Sequence, residues 1–483
     1  MVAVGAALHK VWREHGCIAP GTHGLRPAES GSTRSEQQLG VRFVTEARGR
    51  VSAETCCLSA IVLLGLGVSL NHGGYSPAAL VLVVLASGLI LIAPWATPGR
   101  GSRASWSVAV GLGAVASAII HGGSPIFWVA ILASGGLAIA VVLCPPRAVR
   151  GTAAAMAGLI VLGLLAGSSH WGRVSIDTFW FIQRASARLL NGLNPYGASW
   201  PTTTPGLARA HFTFGPGVLL LSLPARLLGD VRVSDLLAVL LLVALIVALA
   251  RRNGGSEQGW RCLALCLTLP FLPFMINQSW AEIYLITAIA VWLWWRVRHP
   301  WAAVACLGLG LSTVPTAVPL LVLPFIWWSR PRREILMAAL VAAAICIPFV
   351  VWAGPAHFFA DVVGIEVRQP PRLDGLDFDA AWVRVTGTWL PGWVWPMATA
   401  TILILYVGTR NRTWSSAFLL GAGVMAVSMV FAKWAFFNYY LLVAMGLILS
   451  VALALWVCPV HPARKPSPLE GKPVDTAGAP TVA

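Results

Sequence analysis

One acidic side chain stands alone in a polar segment that follows a long apolar run. Asp177 is the only acidic residue of segment 169–211. At about 100° per residue, 176–191 forms an amphipathic helix that puts it on a narrow polar stripe with Arg184 and Arg188. Along a helix these arginines lie about 10 and 16 Å from Asp177, so we expect no tight ion pair. The pattern predicts a carboxylate and two cations held at the height of lipid phosphates, a combination that suits proton transfer beside a phosphate.

The same predicted helix has a wide apolar face. That face contains Ile176, Phe179, Trp180, Ile182, Ala187, Leu189 and Leu190. Such a helix is expected to lie flat on a membrane surface, with Gly192 ending it and Asn194-Pro195-Tyr196 turning the chain towards His211. An alternative stays open: the helix is an interfacial anchor whose arginines meet lipid headgroups, and Asp177 only balances charge.

A second polar segment, 354–390, offers further cations. Arg368 and Arg372 flank a stiff Pro-Pro pair, which suits them to hold a phosphate. The alternative is that they pair with the acids around them in a solvated loop. Those acids are Glu366, Asp374, Asp377 and Asp379.

Two more charged residues fall near the outer ends of apolar runs. Glu282 is a candidate second acid, or a residue that only pairs with a neighbour. Lys433 is a candidate phosphate ligand, or a lysine that extends to the membrane surface. No nucleotide-binding motif and no metal-ligand spacing occurs. We therefore expect no cofactor, although the sequence does not exclude a divalent metal.

A largely apolar chain must position these residues. Of its 483 residues, 57% are hydrophobic and only 11% are charged, whereas soluble domains have about 25% charged residues. The apolar residues form runs with the length of membrane-spanning helices, which predicts an all-α polytopic bundle of about 14 spans. The runs are 55–71, 78–94, 105–121, 126–144, 151–168, 212–228, 233–250, 334–353, 391–408, 414–431 and 437–457, with a hairpin between 298 and 330.

Basic residues cluster between alternate runs, and this predicts the topology. The net charge of +16 is explained by the preference of Lys and Arg for the cytoplasmic side, so membrane lipids are expected partners and nucleic acid is not. The tails 1–54 and 458–483 are then disordered and cytoplasmic, and segments 169–211 and 354–390 lie outside. Run 212–228 must be short or re-entrant, because otherwise the two arginines that follow run 233–250 would face outside.

The polar segment around Asp177 resembles a known family of membrane enzymes. The stretch I-D-T-F-W-F-I-Q-R-A-S-A-R-L-L-N-G-L-N-P-Y, followed by H-F-T-F-G-P-G-V-L-L-L-S-L-P, resembles the GT-C glycosyltransferases. It is most similar to glycosyltransferase family 87, the actinobacterial polyprenyl-phosphate-mannose-dependent mannosyltransferases. The resemblance covers roughly 151–457, after four helices in 55–150. Phe214-Gly215-Pro216-Gly217 stands where the family has Tyr-Pro-Pro, and the loop lacks a second acid.

The resemblance implies a GT-C-like core and a plasma-membrane enzyme. It would transfer a hexose, with mannose expected, from a polyprenyl-phosphate sugar donor to a glycolipid or cell-envelope glycan acceptor outside the cytoplasm. Asp177 is then the catalytic base. The candidate substrate-binding residues are Arg184, Arg188, Asn194, Tyr196, His211, Glu282, Arg368, Arg372 and Lys433.

The alternative function is a lipid or solute transporter without catalytic activity. A transporter places ionisable residues in the middle of the membrane. Here the charges gather in the two outer segments instead, which favours chemistry at the membrane surface.

Overall fold

The computed structural model describes most of the chain between its two tails. It describes residues 51–453 except 72–73, 97–98, 122–124, 168–176, 203–208, 365–371, 410, 434 and 436. Residues 1–50 and 454–483, which include nearly all of both predicted tails, lie outside the described residues.

The described chain is all-α apart from one small hairpin. The helices are α1 (Ala53–Ser69), α2 (Pro77–Ile92), α3 (Arg103–His121), α4 (Pro125–Leu143), α5 (Arg147–Gly167), α6 (Asp177–Leu190), α7 (Pro216–Leu227), α8 (Arg232–Thr268), α9 (Phe271–Gln278), α10 (Glu282–Trp295), α11 (Pro300–Leu311), α12 (Pro319–Trp327), α13 (Ser329–Ala353), α14 (Pro355–Val362), α15 (Phe378–Thr386), α16 (Val394–Val407), α17 (Trp414–Val430) and α18 (Phe437–Ala452). The antiparallel strands are β1 (Ser199–Pro201) and β2 (Arg209–His211), and 3-10 turns occupy Ala93–Trp95 and Pro315–Ala317.

Helix starts follow ordinary capping chemistry. The Ser52 hydroxyl accepts from the Thr55 N–H at 3.2 Å before α1, and Thr413 and Ser416 form a reciprocal capping box before α17. Such caps satisfy N–H groups that have no partner within the helix. Most of the apolar runs correspond to helices that begin and end within a few residues of them, and α8 is a longer exception.

Six described helices are long and apolar enough to cross a membrane, namely α2, α3, α4, α5, α8 and α13. Seven others are apolar but shorter, namely α1, α7, α10, α11, α16, α17 and α18. The chain is thus a helical membrane protein. The sequence-based total of about 14 spans stays a prediction.

Two features of the structure bear on the expectation that run 212–228 is short or re-entrant. That expectation arose because Arg251 and Arg252, after run 233–250, would otherwise face outside. Helix α7 has only 12 residues and contains Pro224, as expected of a short or re-entrant segment. Helix α8 is broken at Gly255, whose φ of 82° and ψ of 179° suit glycine alone. Arg251 and Arg252 lie just before that break. The sequence had predicted one run where the structure has a longer, kinked helix.

Polar contacts gather residues from several basic turns at one end of the bundle. Buried Glu54 accepts from Gln258 Nε2 at 2.8 Å and also from the Gly101 N–H. Glu257, beside the break in α8, pairs with Arg150 at 2.6 Å. These contacts join α1, α3, α5 and α8.

A second group of contacts joins further basic turns. Glu334 of α13 lies 2.9 Å from Arg296 and 3.0 Å from Arg330. The Arg296 guanidinium also lies 4.3 Å from the Trp414 ring centroid, a cation–π contact. We call the residues of these two groups of contacts the basic end of the bundle, and the described parts of segments 177–231 and 354–390 the outer-loop end.

Candidate functional site at the outer-loop end

Helix α6 begins at Asp177 and ends at Leu190, close to the predicted bounds. It is anchored by Gln183, whose amide donates to the Gly229 carbonyl at 2.7 Å and accepts from the Val231 N–H at 3.1 Å. The Ser186 hydroxyl lies 3.0 Å from that of Ser222 on α7. Protein therefore surrounds one side of this helix.

The buried face of α6 differs from the predicted apolar face. Trp180 and Leu190, which the sequence placed on the apolar face, are 43% and 44% exposed. Phe181 and Asp177 are buried instead, and Arg184 is exposed. Asp177 begins the helix that carries Arg184 and Arg188, as predicted, but its side chain is buried whereas that of Arg184 is exposed.

The Asp177 carboxylate accepts a hydrogen bond from the Thr202 hydroxyl. The sequence predicted no tight ion pair between Asp177 and the two arginines, and it did not identify this hydroxyl as a partner. Thr202 directly follows β1, so the hairpin holds the carboxylate in one orientation. A negative charge in the first turn of a helix is also favoured by the helix dipole.

The other end of the hairpin carries a histidine beside a second carboxylate. Ser199 pairs with His211 across the hairpin, and His211 Nδ1 lies 3.6 Å from Asp361 Oδ1. Asp361 Oδ2 also accepts from the Gly197 N–H at 2.8 Å. At about 3.3 Å per strand residue, Thr202 lies about 10 Å from Ser199, so Asp177 and the His211–Asp361 pair lie at opposite ends of one hairpin.

Sequence reasoning missed Asp361. It lies in α14, far along the chain from the hairpin, and its own neighbours form no motif. The only feature of the sequence that could have pointed to Asp361 is that it is an acidic residue within segment 354–390. Its side chain is 10% exposed, whereas that of His211 is 46% exposed. The carboxylate can therefore orient the imidazole, whose other nitrogen remains available to a ligand.

Arg188, Asn194 and Tyr196 hold the turn after α6. Arg188 Nε donates to the Asn194 carbonyl at 2.9 Å, and Asn194 Oδ1 accepts from the Tyr196 N–H at 2.9 Å. Asn194 Nδ2 also donates to the Trp352 carbonyl at 3.3 Å. The exposed Arg184 stacks over Trp180 at 5.8 Å. Of these four candidates, Arg184 has the side chain that remains most open to a substrate.

Tyr196 is a structural residue of this turn. It is 3% exposed, lies 4.8 Å from the Phe358 ring, and donates from its hydroxyl to the Phe214 carbonyl at 3.0 Å. Burial, with smaller contributions from Cys346 and Asp361, raises the pKa of the Tyr196 hydroxyl well above its usual range. The hydroxyl therefore stays protonated and continues to donate.

The two glycines after this turn lie directly against the end of α11. The Gly215 N–H donates to the Thr313 carbonyl at 2.7 Å, and the Gly217 N–H to the Ser312 carbonyl at 3.0 Å. A Cβ at Gly215 would lie 2.1 Å from the Ser312 carbonyl oxygen. The chain here runs against the end of α11 so closely that side chains are excluded.

In the second outer segment, Arg372 pairs with an acid. This is the predicted alternative in which the arginines pair with neighbouring acids and do not wait for a phosphate. Its guanidinium donates to Asp374 at 2.8 and 2.5 Å. Burial acts to raise the pKa of Asp374, but the hydrogen bond and charge of Arg372 outweigh it and lower that pKa. Arg368 and Glu366 lie outside the described residues.

Asp377 ties this segment to the turn between α17 and α18. Its carboxylate accepts from the Ala380 N–H at 2.7 Å, capping α15, and from the Ala435 N–H at 2.9 Å. Burial raises the pKa of Asp377 to about 7, and the nearby Asp379 and Asp374 add to the shift. The Lys433 carbonyl accepts from the Arg372 N–H at 3.3 Å, which brings Lys433 beside the segment.

Glu282 lies at the start of α10 and is 3% exposed. Its carboxylate accepts from Asn438 Nδ2 of α18 at 2.6 Å, so the predicted pairing with a neighbour is what the structure shows. The structure thus holds two groups of candidates. Asp177 and His211 share the hairpin, whereas Arg372, Lys433 and Glu282 surround the start of α18.

Among the described residues, no three His, Cys, Asp or Glu side chains are grouped so that they could hold a metal ion. Comparison with protein-family models, curated protein sequences and solved structures finds no match to this chain. The family resemblance therefore rests on the motifs of the sequence.

Proposed function

We propose that this protein is a membrane glycosyltransferase of the GT-C type. It moves a hexose, with mannose expected from the family resemblance, from a polyprenyl-phosphate donor to a lipid-linked or cell-envelope acceptor. The active site faces outside the plasma membrane, in a bundle of about 14 spans with both tails in the cytoplasm. The observation that carries the proposal is the hairpin that holds Asp177 at one end and His211 at the other.

The proposed reaction has Asp177 as the general base. The carboxylate takes the proton of an acceptor hydroxyl while the oxygen of that hydroxyl bonds to the anomeric carbon of the sugar. The bond from that carbon to the phosphate oxygen breaks, and polyprenyl phosphate leaves with the electron pair. The hydrogen bond from Thr202 supports this role, because a base must be held in one orientation.

Cations are needed where the phosphate leaves. Arg184 is exposed on α6, and His211 presents an exposed imidazole beside Asp361. Arg372 is a weaker candidate than the sequence indicated, because Asp374 already binds its guanidinium.

Replacing Asp177 tests the proposal. Asp177→Asn keeps the size of the side chain and removes the base, so we expect transfer to fall at least about a hundredfold with donor binding retained. Asp177→Glu should retain little activity, since the longer side chain displaces the carboxylate. The measurement is transfer from radiolabelled polyprenyl-phosphate mannose to envelope lipids by purified protein in nanodiscs.

Asp379→Asn is the matched control, because it removes a carboxylate charge at the same end of the bundle and keeps an oxygen that can accept from the Leu390 N–H. It should leave the rate unchanged. Wild-type rates in Asp177→Asn would remove Asp177 from the mechanism. No transfer by the wild-type protein from any polyprenyl-phosphate sugar would favour the transporter.

The transporter remains the second candidate because of one observation. Helices α9 and α10 are separated by a break at which buried polar side chains meet, and such interrupted helices form binding sites in secondary transporters.

A further inference from the structure

The break in α8 brings two adjacent arginines to the surface of the bundle. A Cβ added at Gly259 would overlap the Arg251 side chain, although eight residues of continuous helix would separate the two by about 12 Å. The chain therefore folds back at Gly255, and the residues before and after the break lie side by side. Arg251 and Arg252, both exposed, form what we call the arginine pair.

Each guanidinium of the arginine pair lies over a tryptophan ring. That of Arg251 is 5.2 Å from the ring centroid of Trp260, beyond the break, and that of Arg252 is 6.0 Å from that of Trp294 on α10. Such cation–π contacts orient a guanidinium and leave its N–H donors available. The two positive charges are therefore held next to each other at the surface.

The acids on this side of the bundle bind other groups. Glu257, two residues beyond the break, lies 2.6 Å from Arg150 and 3.4 Å from Arg261. Glu54 and Glu334 are engaged by the contacts of the basic end given above. Among the described residues, no carboxylate lies within 4 Å of the arginine pair, so its two charges are open to an anion from outside the protein.

An exposed apolar stripe of α8 leads to the arginine pair. Leu237, Leu240 and Leu241 are 61%, 49% and 46% exposed on a helix long and apolar enough to cross a membrane. Leu241 and Arg252 are eleven residues apart, close to three whole turns, so they lie on the same side of the helix. They are about 17 Å apart along its axis, roughly half the 30 Å apolar thickness of a bilayer.

We propose that an anionic phospholipid binds to this surface of α8, with its phosphate at Arg251 and Arg252 and an acyl chain along the stripe that reaches Leu241. Guanidinium groups donate paired N–H groups to phosphate oxygens, and tryptophan rings lie at the depth of lipid headgroups. Net negative charge on the lipid is required, because a zwitterionic headgroup also carries a cation that the arginine pair repels. This site is separate from the proposed sugar transfer and does not depend on it.

Native mass spectrometry of the purified full-length protein tests the proposal. With added phosphatidylglycerol, we expect one lipid to be retained more tightly than the others, and phosphatidylcholine with the same acyl chains to bind there at least about tenfold more weakly. The double variant Arg251→Gln, Arg252→Gln should weaken the affinity for phosphatidylglycerol about twentyfold, since each basic residue near an anionic headgroup contributes a factor of about five.

The matched control is the double variant Arg298→Gln, Arg333→Gln, which removes two other exposed arginines, one just after α10 and one in the first turns of α13. It should retain the wild-type affinity. An equal loss of affinity in this control would overturn the proposal, because it would show a general effect of positive charge. Equal retention of phosphatidylcholine and phosphatidylglycerol by the wild type would overturn it too.

Inorganic phosphate distinguishes a lipid from a free anion. Phosphate at millimolar concentration should leave the retained phosphatidylglycerol in place, because it has no acyl chain to contact the stripe. Complete displacement by phosphate would make the arginine pair a site for a free anion and would contradict the proposal. Should the double variant at the arginine pair fail to fold, Arg252→Gln alone decides, with affinity about fivefold weaker expected.

Discussion

At the scale of residues, three acids of the outer-loop end are each bound by a different kind of donor. Asp177 has the Thr202 hydroxyl, Asp361 has the Gly197 N–H and Glu282 has the Asn438 amide. These three donors are uncharged groups, and each of them orients the carboxylate that it binds.

The contact between His211 and Asp361 makes a prediction at this scale. We expect His211→Gln and Asp361→Asn each to weaken binding of the polyprenyl-phosphate donor, because the carboxylate orients the imidazole. Since His211 is partly exposed, the coupling between the two changes should be modest, about 0.2–1 kcal/mol in a double-mutant cycle. Donor binding to the purified variants measures it.

The Asp379→Asn variant serves again as the control for loss of an unrelated carboxylate. Effects of His211→Gln and Asp361→Asn that simply add in the double variant would show that the two residues act independently.

At the scale of elements, the outer segments are held by backbone hydrogen bonds to the ends of helices. The Leu376 N–H donates to the Ala435 carbonyl at 2.8 Å, and the Tyr440 hydroxyl donates to the Leu376 carbonyl at 2.6 Å. The Tyr75 N–H, after α1, donates to the Asp374 carbonyl at 3.1 Å. The segment before α15 is thereby attached to both α18 and the α1–α2 turn.

Asp377 should make this attachment depend on pH. Its pKa is raised by burial to about 7 in the folded protein, so the folded segment holds a proton that the unfolded segment releases near pH 4. Stability from this group is complete below the unfolded pKa and is lost as pH rises towards about 7. Hydrogen-exchange protection of the Ala380 and Ala435 amides, corrected for intrinsic rates, should fall at least about tenfold from pH 5 to 8.

Asp377→Asn does not titrate, so its protection should show no such decline. Asp374 and Asp379 are the neighbouring acids whose charges contribute. Protection in the wild type that stays constant or rises over the same interval would contradict the assignment to Asp377.

At the scale of the whole molecule, polar contacts divide between two ends of an apolar bundle. The basic end gathers Glu54, Glu257 and Glu334 with their arginines, and the outer-loop end gathers the hairpin and the segment before α15. This division follows from the cost of leaving polar groups unpaired among lipid chains.

Cysteine labelling can test which end faces outside. In a cysteine-free background, Asn191→Cys and Val385→Cys should react with an impermeant thiol reagent in intact cells, and Ser102→Cys only after lysis. All three positions are exposed. Labelling of Ser102→Cys alone in intact cells would reverse the proposed topology.

The sequence by itself determined the helices and the amphipathic segment at Asp177. An apolar run in a membrane must satisfy its own backbone, so its length and caps define a helix without reference to the rest of the chain. For the same reason the break at Val314–Pro319 was predictable from its prolines, and α11 indeed ends at Leu311.

Only the tertiary structure decided which side chains meet. Asp361 reaches Gly197 across 164 residues, Asn438 reaches Glu282 across 156, and Asp235 reaches Ser279 across 44. No local periodicity contains such pairs, because they depend on how helices pack and not on how each one forms. The buried face of α6 was misjudged for that reason: contact with α7 decided which side of the helix is covered, where the sequence pattern assumed lipid.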